Sequence, residues 1–496
     1  MTNTNENNTC EGTIAVRGKG IGFFIRPDQK EDDEDILITT ENLSFALDTD
    51  IVKIEVFPKE GGKRQEGKVL EVLEPAHTEF IGTVKPAGAG KPERYLQPDN
   101  HRIHIRPILP EATGADDGMK VVVEIASWTS PDTAPIGKIT ETLGKAGDHE
   151  TEMQAIIRSG GFSESFSEEV SKAAQDLYGR KDEIFNAAIE ATQGDSPTRR
   201  DMRETITMTI DPADSKDFDD ALSFKNLDNG NYEIGIHIAD VSHYVQAGDV
   251  IDQEAHERGT SIYLVDRVIP MLPEVLSNDL CSLRPNEDRL AFSCVFEINP
   301  NAEVVGEWYG QTIIHSNRRF SYQDAQAVLD EKAGDNLEAL TTLMDLSRLM
   351  RKQRYKEGAI AFEQPEVQFV LDDAGKPIDV VAKERIETMM MIEDFMLLAN
   401  QGVSKYVDKL CTDSNKPTTF IYRIHDSPDP DRINDLAVFV HALGYEFKAD
   451  NGEVDARDIN KLLKEIEGSP EEDLLKVATI RSMAKAVYST KNIGHF

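Results

Sequence analysis

Between positions 11 and 73 the chain alternates apolar and polar residues in short runs, at 13–16, 22–26, 36–39, 52–57 and 68–73. Each run is β-branched or aromatic and is bounded by Gly, Pro or charged turns, the signature of a half-buried strand. Five such strands in so short a stretch predict a small β-barrel of the OB type over 10–74, behind a disordered polar tail at 1–9. The texture repeats over 75–130, with strands expected at 80–84, 94–97, 102–107 and 121–126, so a second barrel of the same kind is expected. A connector and helical linker follow over 131–195, turn-rich between 131 and 149. Within the linker, Ser165-Phe-Ser-Glu168 has the form of a capping box, and Val170, Ala173, Leu177, Ile184 and Ala188 supply an apolar helical face. From 196 to 496 the pattern is one large mixed domain. Strands are expected at 205–210, 221–225 and 232–240, the last two joined across Asn229-Gly230, a strong hairpin signal. Further hairpins fall at 299–301 and 372–375, and helical periodicity covers 322–329, 336–357, 385–410, 433–443 and 471–488. Strands and helices follow no regular βαβ rhythm, so this domain is predicted to be α+β.

Two features of the barrels carry chemistry. Arg17-Gly-Lys-Gly-Ile-Gly-Phe-Phe-Ile25 puts cations beside Phe23 and Phe24, and a regular strand turns one of those rings outward. An outward ring among cations suits stacking on nucleic-acid bases; a glycine-rich hairpin with one core Phe explains the residues equally well. Arg102, His104 and Arg106 share one face of the expected strand as a modest basic stripe.

Composition narrows the class. The 496 residues are 39% hydrophobic and 29% charged, suited to a soluble globular protein. No window reaches the roughly 18 apolar residues of a membrane span. The N-terminus is polar and lacks the basic and apolar regions of a signal peptide, so a cytoplasmic protein with no membrane partner is expected. Four scattered cysteines form no C-x-x-C pair and the eleven histidines no H-E-x-x-H, which argues against a zinc site or a disulfide framework. With 54 basic against 90 acidic residues the net charge is −36, which disfavours nucleic-acid binding by the surface as a whole. A locally basic or stacking groove remains compatible with it.

The densest chemistry is Asp211-Pro-Ala-Asp-Ser-Lys-Asp-Phe-Asp-Asp220, where five of ten residues are Asp. Two like charges about 4 Å apart repel by roughly 4 kcal/mol at an effective dielectric near 20, so the carboxylates either fan into water or share a cation. A continuous strand would point Asp211, Asp217 and Asp219 to one face and Asp220 to the other; Pro212 argues for a loop that brings several together. The stretch is not an EF-hand, since Lys216 and Leu222 stand where that loop needs Gly and Glu. Oxygen-only ligation suits Mg2+, with Mn2+ as the alternative, and carboxylate-held magnesium is standard equipment for phosphodiester hydrolysis. The competing reading is a polar turn with solvated side chains.

The residues from Thr209 to Ala221 resemble the active-site signature of the ribonuclease II / ribonuclease R family. In that family's order follow Ile236-His-Ile-Ala-Asp-Val-Ser-His-Tyr-Val245, Arg258-Gly-Thr-Ser-Ile-Tyr263, the 268–277 run with Leu280-Cys-Ser-Leu283, Tyr422-Arg-Ile-His-Asp426 and Asn492-Ile-Gly-His-Phe496. The resemblance covers nearly the whole chain and implies two cold-shock/OB-type barrels followed by an α+β catalytic domain of the RNB type. It implies a monomeric, processive, magnesium-dependent 3′-to-5′ exoribonuclease that degrades single-stranded RNA to nucleoside 5′-monophosphates by attack of metal-activated water on the terminal phosphodiester. Carried over, Asp211, Asp217 and Asp220 are metal-linked carboxylates and Asp219 is the aspartate most critical to hydrolysis. Tyr263 and Phe362 stack on terminal bases, Glu393 contacts the last nucleotide, and Tyr322 lines the RNA path. The family continues past Gly-His-Phe into a segment bearing an arginine and a last OB domain. A C-terminally truncated chain is therefore expected, and with it an alternative function as a catalytically impaired RNA-binding fragment.

Overall fold

The computed structural model describes residues 8–17, 20–27, 29, 34–59, 61, 64–86, 93–110, 115–193, 197–360, 366–414, 419–449 and 452–495. They form two units, Met1–Ser165 and Phe166–Phe496.

The first unit holds two closed five-stranded barrels. Strands β1 (Thr9–Arg17), β2 (Ile21–Ile25), β3 (Ile36–Ile38), β4 (Ile51–Val56) and β5 (Glu66–Glu74) close in the order β1-β2-β3-β5-β4. Alternation does what the pattern predicts: Ile14, Val16, Phe24, Ile36, Ile38, Val52 and Ile54 point inward and are almost fully buried. Thr9, expected in the tail, opens β1 because it pairs with Glu55. The second barrel comprises β6 (Glu79–Pro86), β7 (Arg94–Pro98), β8 (Ile108–Leu109), β9 (Met119–Ser127) and β10 (Ile136–Lys145). Two expectations fail here. The 102–107 run forms no strand: Ile103 and Ile105 still face the core and the Pro107 carbonyl accepts from the Leu96 amide at 2.9 Å, but Pro107 cannot donate to a ladder. The supposed turn-rich connector at 131–149 contains ten-residue β10, which closes the barrel against β9 through three register irregularities. Helix α1 (His149–Ser159) follows.

The second unit begins with α2 (Glu168–Gly179) and α3 (Lys181–Glu190). Ser167, rather than Ser165, caps α2 by accepting from the Val170 amide, and with Val170 at the third helical position a plain N-cap replaces the expected capping box. The centre is a seven-stranded sheet, built from β11 (Arg199–Asp201), β12 (Ile206–Asp211), β13 (Asp220–Asn226) and β14 (Tyr232–Ala239) and completed further along the chain. Between these parts lie α4 (Val241–Tyr244), α5 (Val250–Arg258), the small ladder β15 (Ile262–Tyr263) with β16 (Val268–Ile269), and one π-helical turn, Leu276–Leu280. The sheet is completed by β17 (Asp288–Ile298), β18 (Val304–His315) and β19 (Arg318–Ser321), in the order β11-β18-β17-β14-β13-β12-β19. Helices α6 (Tyr322–Glu331) and α7 (Leu337–Glu357), the hairpin β20 (Val367–Leu371) with β21 (Pro377–Ala382), and α8 (Glu387–Ser414) come next. Leu340, Leu343, Met344 and Phe395 of α7 and α8 cover one sheet face at Met208, Leu222, Ile236 and Phe296. Val170, Tyr244, Ile251 and Leu276 cover the other at Ala221, Ala291, Val295 and Ile313. The chain ends with β22 (Tyr422–Ile424), α9 (Pro430–Ala442), α10 (Ala456–Glu465), α11 (Glu472–Ser482) and β23 (Val487–Ser489). The helix expected over 471–488 thus stops at Ser482, and its last residues pair with β22 instead. Among the described residues no helix is long and apolar enough to cross a membrane.

Candidate active site

The aspartate stretch is the connection between antiparallel neighbours β12 and β13, so it sits at one end of the central sheet. Asp211 is the last residue of β12. Paired beside Ser321 of β19, it is 92% buried, being only 8% exposed. Burial, then the charge of Asp220, pushes its carboxyl up from 3.8 to about 7. Its Oδ2 is sealed from solvent with no hydrogen-bond partner among the described residues. Asp220 opens β13 and is pushed up to about 6 by burial and then by Asp219. Asp219 faces solvent but is ringed by protein; desolvation, and after it Asp217, raises its pKa as well. The Tyr263 hydroxyl donates to Asp217 Oδ2 at 3.1 Å. Asp214 stands exposed.

The other expected residues divide. Tyr263 is 67% exposed beside the cluster, its phenol raised by burial and by Asp217. Tyr322 is the first residue of α6; burial, then the charges of Asp220 and Asp211, push its phenol up to about 12. Glu393 lies on α8, half-exposed and ion-paired with Arg385. Phe362 lies outside the described residues. Phe23 and Phe24 belong to the first unit and play opposite parts. Phe24 pairs with Ile14 and is wholly buried, so the expectation that it binds RNA is corrected: it is barrel core. Phe23 turns outward between the guanidinium groups of Arg17 and Arg64, each 5.0 Å from its ring centre.

Two neighbours of the loop escaped sequence reasoning. Arg319 on β19 donates from Nη2 to the carbonyls of Pro212 at 2.7 Å and Ala213 at 2.8 Å. Buried Ser282 binds the loop's other end. Leu280-Cys-Ser-Leu283 marked the second position only as a motif without a role, and Arg318-Arg319 gave no signal beyond its charge.

The donor set bears on which cation it suits. Among the described residues no three Asp, Glu, His or Cys side chains converge as a ready cage for a metal. Calcium and structural zinc need several protein ligands, whereas magnesium is held through one or two carboxylates, with water and substrate phosphate completing the shell. Carboxyls raised by burial and then by one another, one with an orphaned oxygen, fit a hard divalent cation of the second sort.

A domain with aspartates at one sheet end, following two OB-type barrels in sequence, has the domain order of an RNB-type nuclease, and the family models agree. The RNB domain matches residues 199–496, the cold shock domain 95–167 and the ribonuclease B OB domain 12–72. The chain belongs to the ribonuclease II / ribonuclease R family of exoribonucleases. It is 34% identical over 503 residues to ribonuclease R 1 of Lactococcus lactis, covering 98% of this chain and 59% of that protein. To ribonuclease R of Thermotoga maritima it is 34% identical over 495 residues, covering 98% and 66%. The chain therefore spans less than two thirds of the length of either relative. Among solved structures it is similar to Mycoplasma genitalium ribonuclease R in complex with ribose-methylated single-stranded RNA, with a TM-score of 0.85 and 26% identity over 98% of this chain and 74% of that one.

Proposed function

We propose that this chain carries the catalytic centre of a 3′-to-5′ exoribonuclease that acts processively on single-stranded RNA and releases nucleoside 5′-monophosphates. The observation that carries the reading is the packing of Asp211, Asp217, Asp219 and Asp220 at one sheet end, with two of them pushed up to about 7 and 6 by burial and by one another. Such a cluster binds a cation or a proton, and family membership favours the cation. Asp211, Asp217 and Asp220 are proposed to be linked to Mg2+, or Mn2+, one or two of them directly and the rest through its water, and Asp219 to act on the reacting phosphate. A divalent ion bound there would supply Lewis-acid charge neutralisation and a bound water more acidic than bulk water. Tyr263, fixed to Asp217 and mostly exposed, presents a ring on which the 3′-terminal base stacks. Tyr322 offers a neutral hydroxyl beside Asp220, and Glu393 a carboxylate for the terminal ribose. Phe23, flanked by two guanidinium groups, is a stacking platform in the first unit.

The test is Asp219→Asn. With 5′-labelled single-stranded RNA and Mg2+, the variant is expected to lose nucleotide release by at least about 10²-fold, the loss seen when one transition-state contact is removed, while binding RNA within about twofold of the parent. Release at the parental rate would remove Asp219 from the chemistry. RNA binding without release by the parent chain itself would favour the RNA-binding-fragment reading instead.

A further inference from the structure

The aspartate loop has no regular secondary structure between Asp211 and Asp220, yet the bonds that hold it come from two segments distant in sequence. At its start Arg319 spans two successive carbonyls through Nη2, lies over the Phe218 ring at 5.7 Å, and keeps its Nε buried without a partner. At its end the Phe218 amide donates to Ser282 Oγ at 2.9 Å, while the same hydroxyl donates to the Lys216 carbonyl at 3.1 Å. The Leu283 amide donates to the Phe218 carbonyl at 2.8 Å. Ser282 is fully buried and is itself fixed, since Arg289 Nε donates to its carbonyl at 2.8 Å. The Asp219 carbonyl then accepts from the Ala239 amide at 2.9 Å, which returns the chain to the sheet.

We infer that Ser282 and Arg319 are positioning residues of the aspartate loop, bracing it from its two ends so that its carboxylates are presented to the cation and the phosphate in one arrangement. The inference rests on the proposed function for what the carboxylates hold, and on the hydrogen bonds alone for what holds the loop. Both side chains bind loop backbone rather than carboxylates, so neither is a catalytic residue. A hydroxyl that accepts from one amide and donates to a carbonyl two residues earlier fixes the turn on which Asp217 and Asp219 sit. A lysine at 319 keeps the charge but loses the planar guanidinium whose Nη2 reaches both carbonyls while its face lies over Phe218.

The experiment compares the parent chain with Ser282→Ala, Arg319→Ala and Arg319→Lys in three readouts: amide hydrogen exchange over 213–219, Mn2+ affinity by electron paramagnetic resonance, and nucleotide release resolved into kcat and KM. Ser282→Ala is expected to speed exchange at Phe218, weaken Mn2+ binding by about 10–100-fold, the usual cost of losing an outer-shell partner, and lower kcat with little change in KM. Arg319→Ala does the same for the loop's first half and is partly rescued by added guanidinium. Arg319→Lys is expected to fall between the parent and Arg319→Ala. Parental loop exchange in both alanine variants overturns the braces, whatever happens to activity. A parent that binds Mn2+ but releases no nucleotide overturns the nuclease reading and leaves the braces to be decided by exchange and Mn2+ affinity.

Discussion

Asp211 binds a proton in the folded chain at pH values where the unfolded chain has released it, because its pKa is about 7 against 3.8. Stability from this group is therefore complete below about pH 3.8 and is lost as pH rises through about 7. In metal-free buffer Asp211→Asn, which cannot ionise, is expected to melt later than the parent at pH 8, by an amount on the order of about 1–4 kcal/mol, and no later at pH 4. Scanning calorimetry with a chelator at both values checks it; an equal difference at the two pH values refutes it. The phenylalanine pair gives a second residue-scale expectation. Phe24→Ala should cost the first barrel about 3–5 kcal/mol. Phe23→Ala should leave melting nearly unchanged and weaken RNA binding by about 1–3 kcal/mol, the worth of one stacked base. Alternation announced that one ring faces out; only the β1–β2 register, with Phe24 opposite Ile14, says which. The aspartates were legible because five in ten residues demand a partner. Arg319 was not, since its neighbours Pro212 and Ala213 lie over a hundred residues away in sequence.

Elements whose apolar residues fall at a strict period were readable, and those held by backbone alone were not. The hairpin at Asn229-Gly230, the five strands of the first barrel and β6, β7 and β9 of the second came from turn signals and alternation; β8 and β10 did not. In β10 Gly137 is the one fully buried residue, so its pattern carries no trace of the ladder it makes with β9. Helix α1 buries Thr151, Met153, Ala155 and Ile157, two neighbouring i,i+4 rows that read in sequence like a strand's alternation. The central sheet holds a polar seam that patterning also missed. His237 of β14 is fully buried with Nδ1 2.6 Å from Ser293 Oγ, which lies 2.6 Å from Thr312 Oγ1. Burial, and then Arg200, lowers its pKa to about 3. The unfolded chain therefore takes up a proton that the sheet refuses, so this contribution is intact above about pH 6.5 and is lost as pH falls toward 3. His237→Gln should flatten the acid limb of the stability profile between those values, and chemical denaturation at pH 7 and 4.5 would show it. An unchanged acid limb would place the acid sensitivity elsewhere.

At the scale of the whole molecule, a net charge of −36 and the RNA substrate proposed for the chain pull against each other. The repulsion acts at long range and is screened within about 8 Å at physiological salt but only within about 30 Å at 0.01 M. Local cations act through counterion release, which weakens binding as salt rises, with a slope of about −0.7 per phosphate neutralised on a single strand. The two effects oppose each other at low salt, where added ions relieve the repulsion, and only the second survives at high salt. RNA affinity should therefore change little between about 10 and 50 mM KCl and fall steeply above about 150 mM, unlike the straight line expected of a basic protein. Arg17 and Arg64, on either side of Phe23, are the pair proposed as two such cations. Their joint replacement by Ala should reduce the high-salt slope by about 1.4, two contacts' worth, while leaving the flat low-salt limb in place. Fluorescence anisotropy of a labelled oligouridylate titrated in KCl with chelator present measures both limbs. A slope that the double substitution does not move would take this pair out of the RNA path and leave Phe23 as surface packing between two arginines.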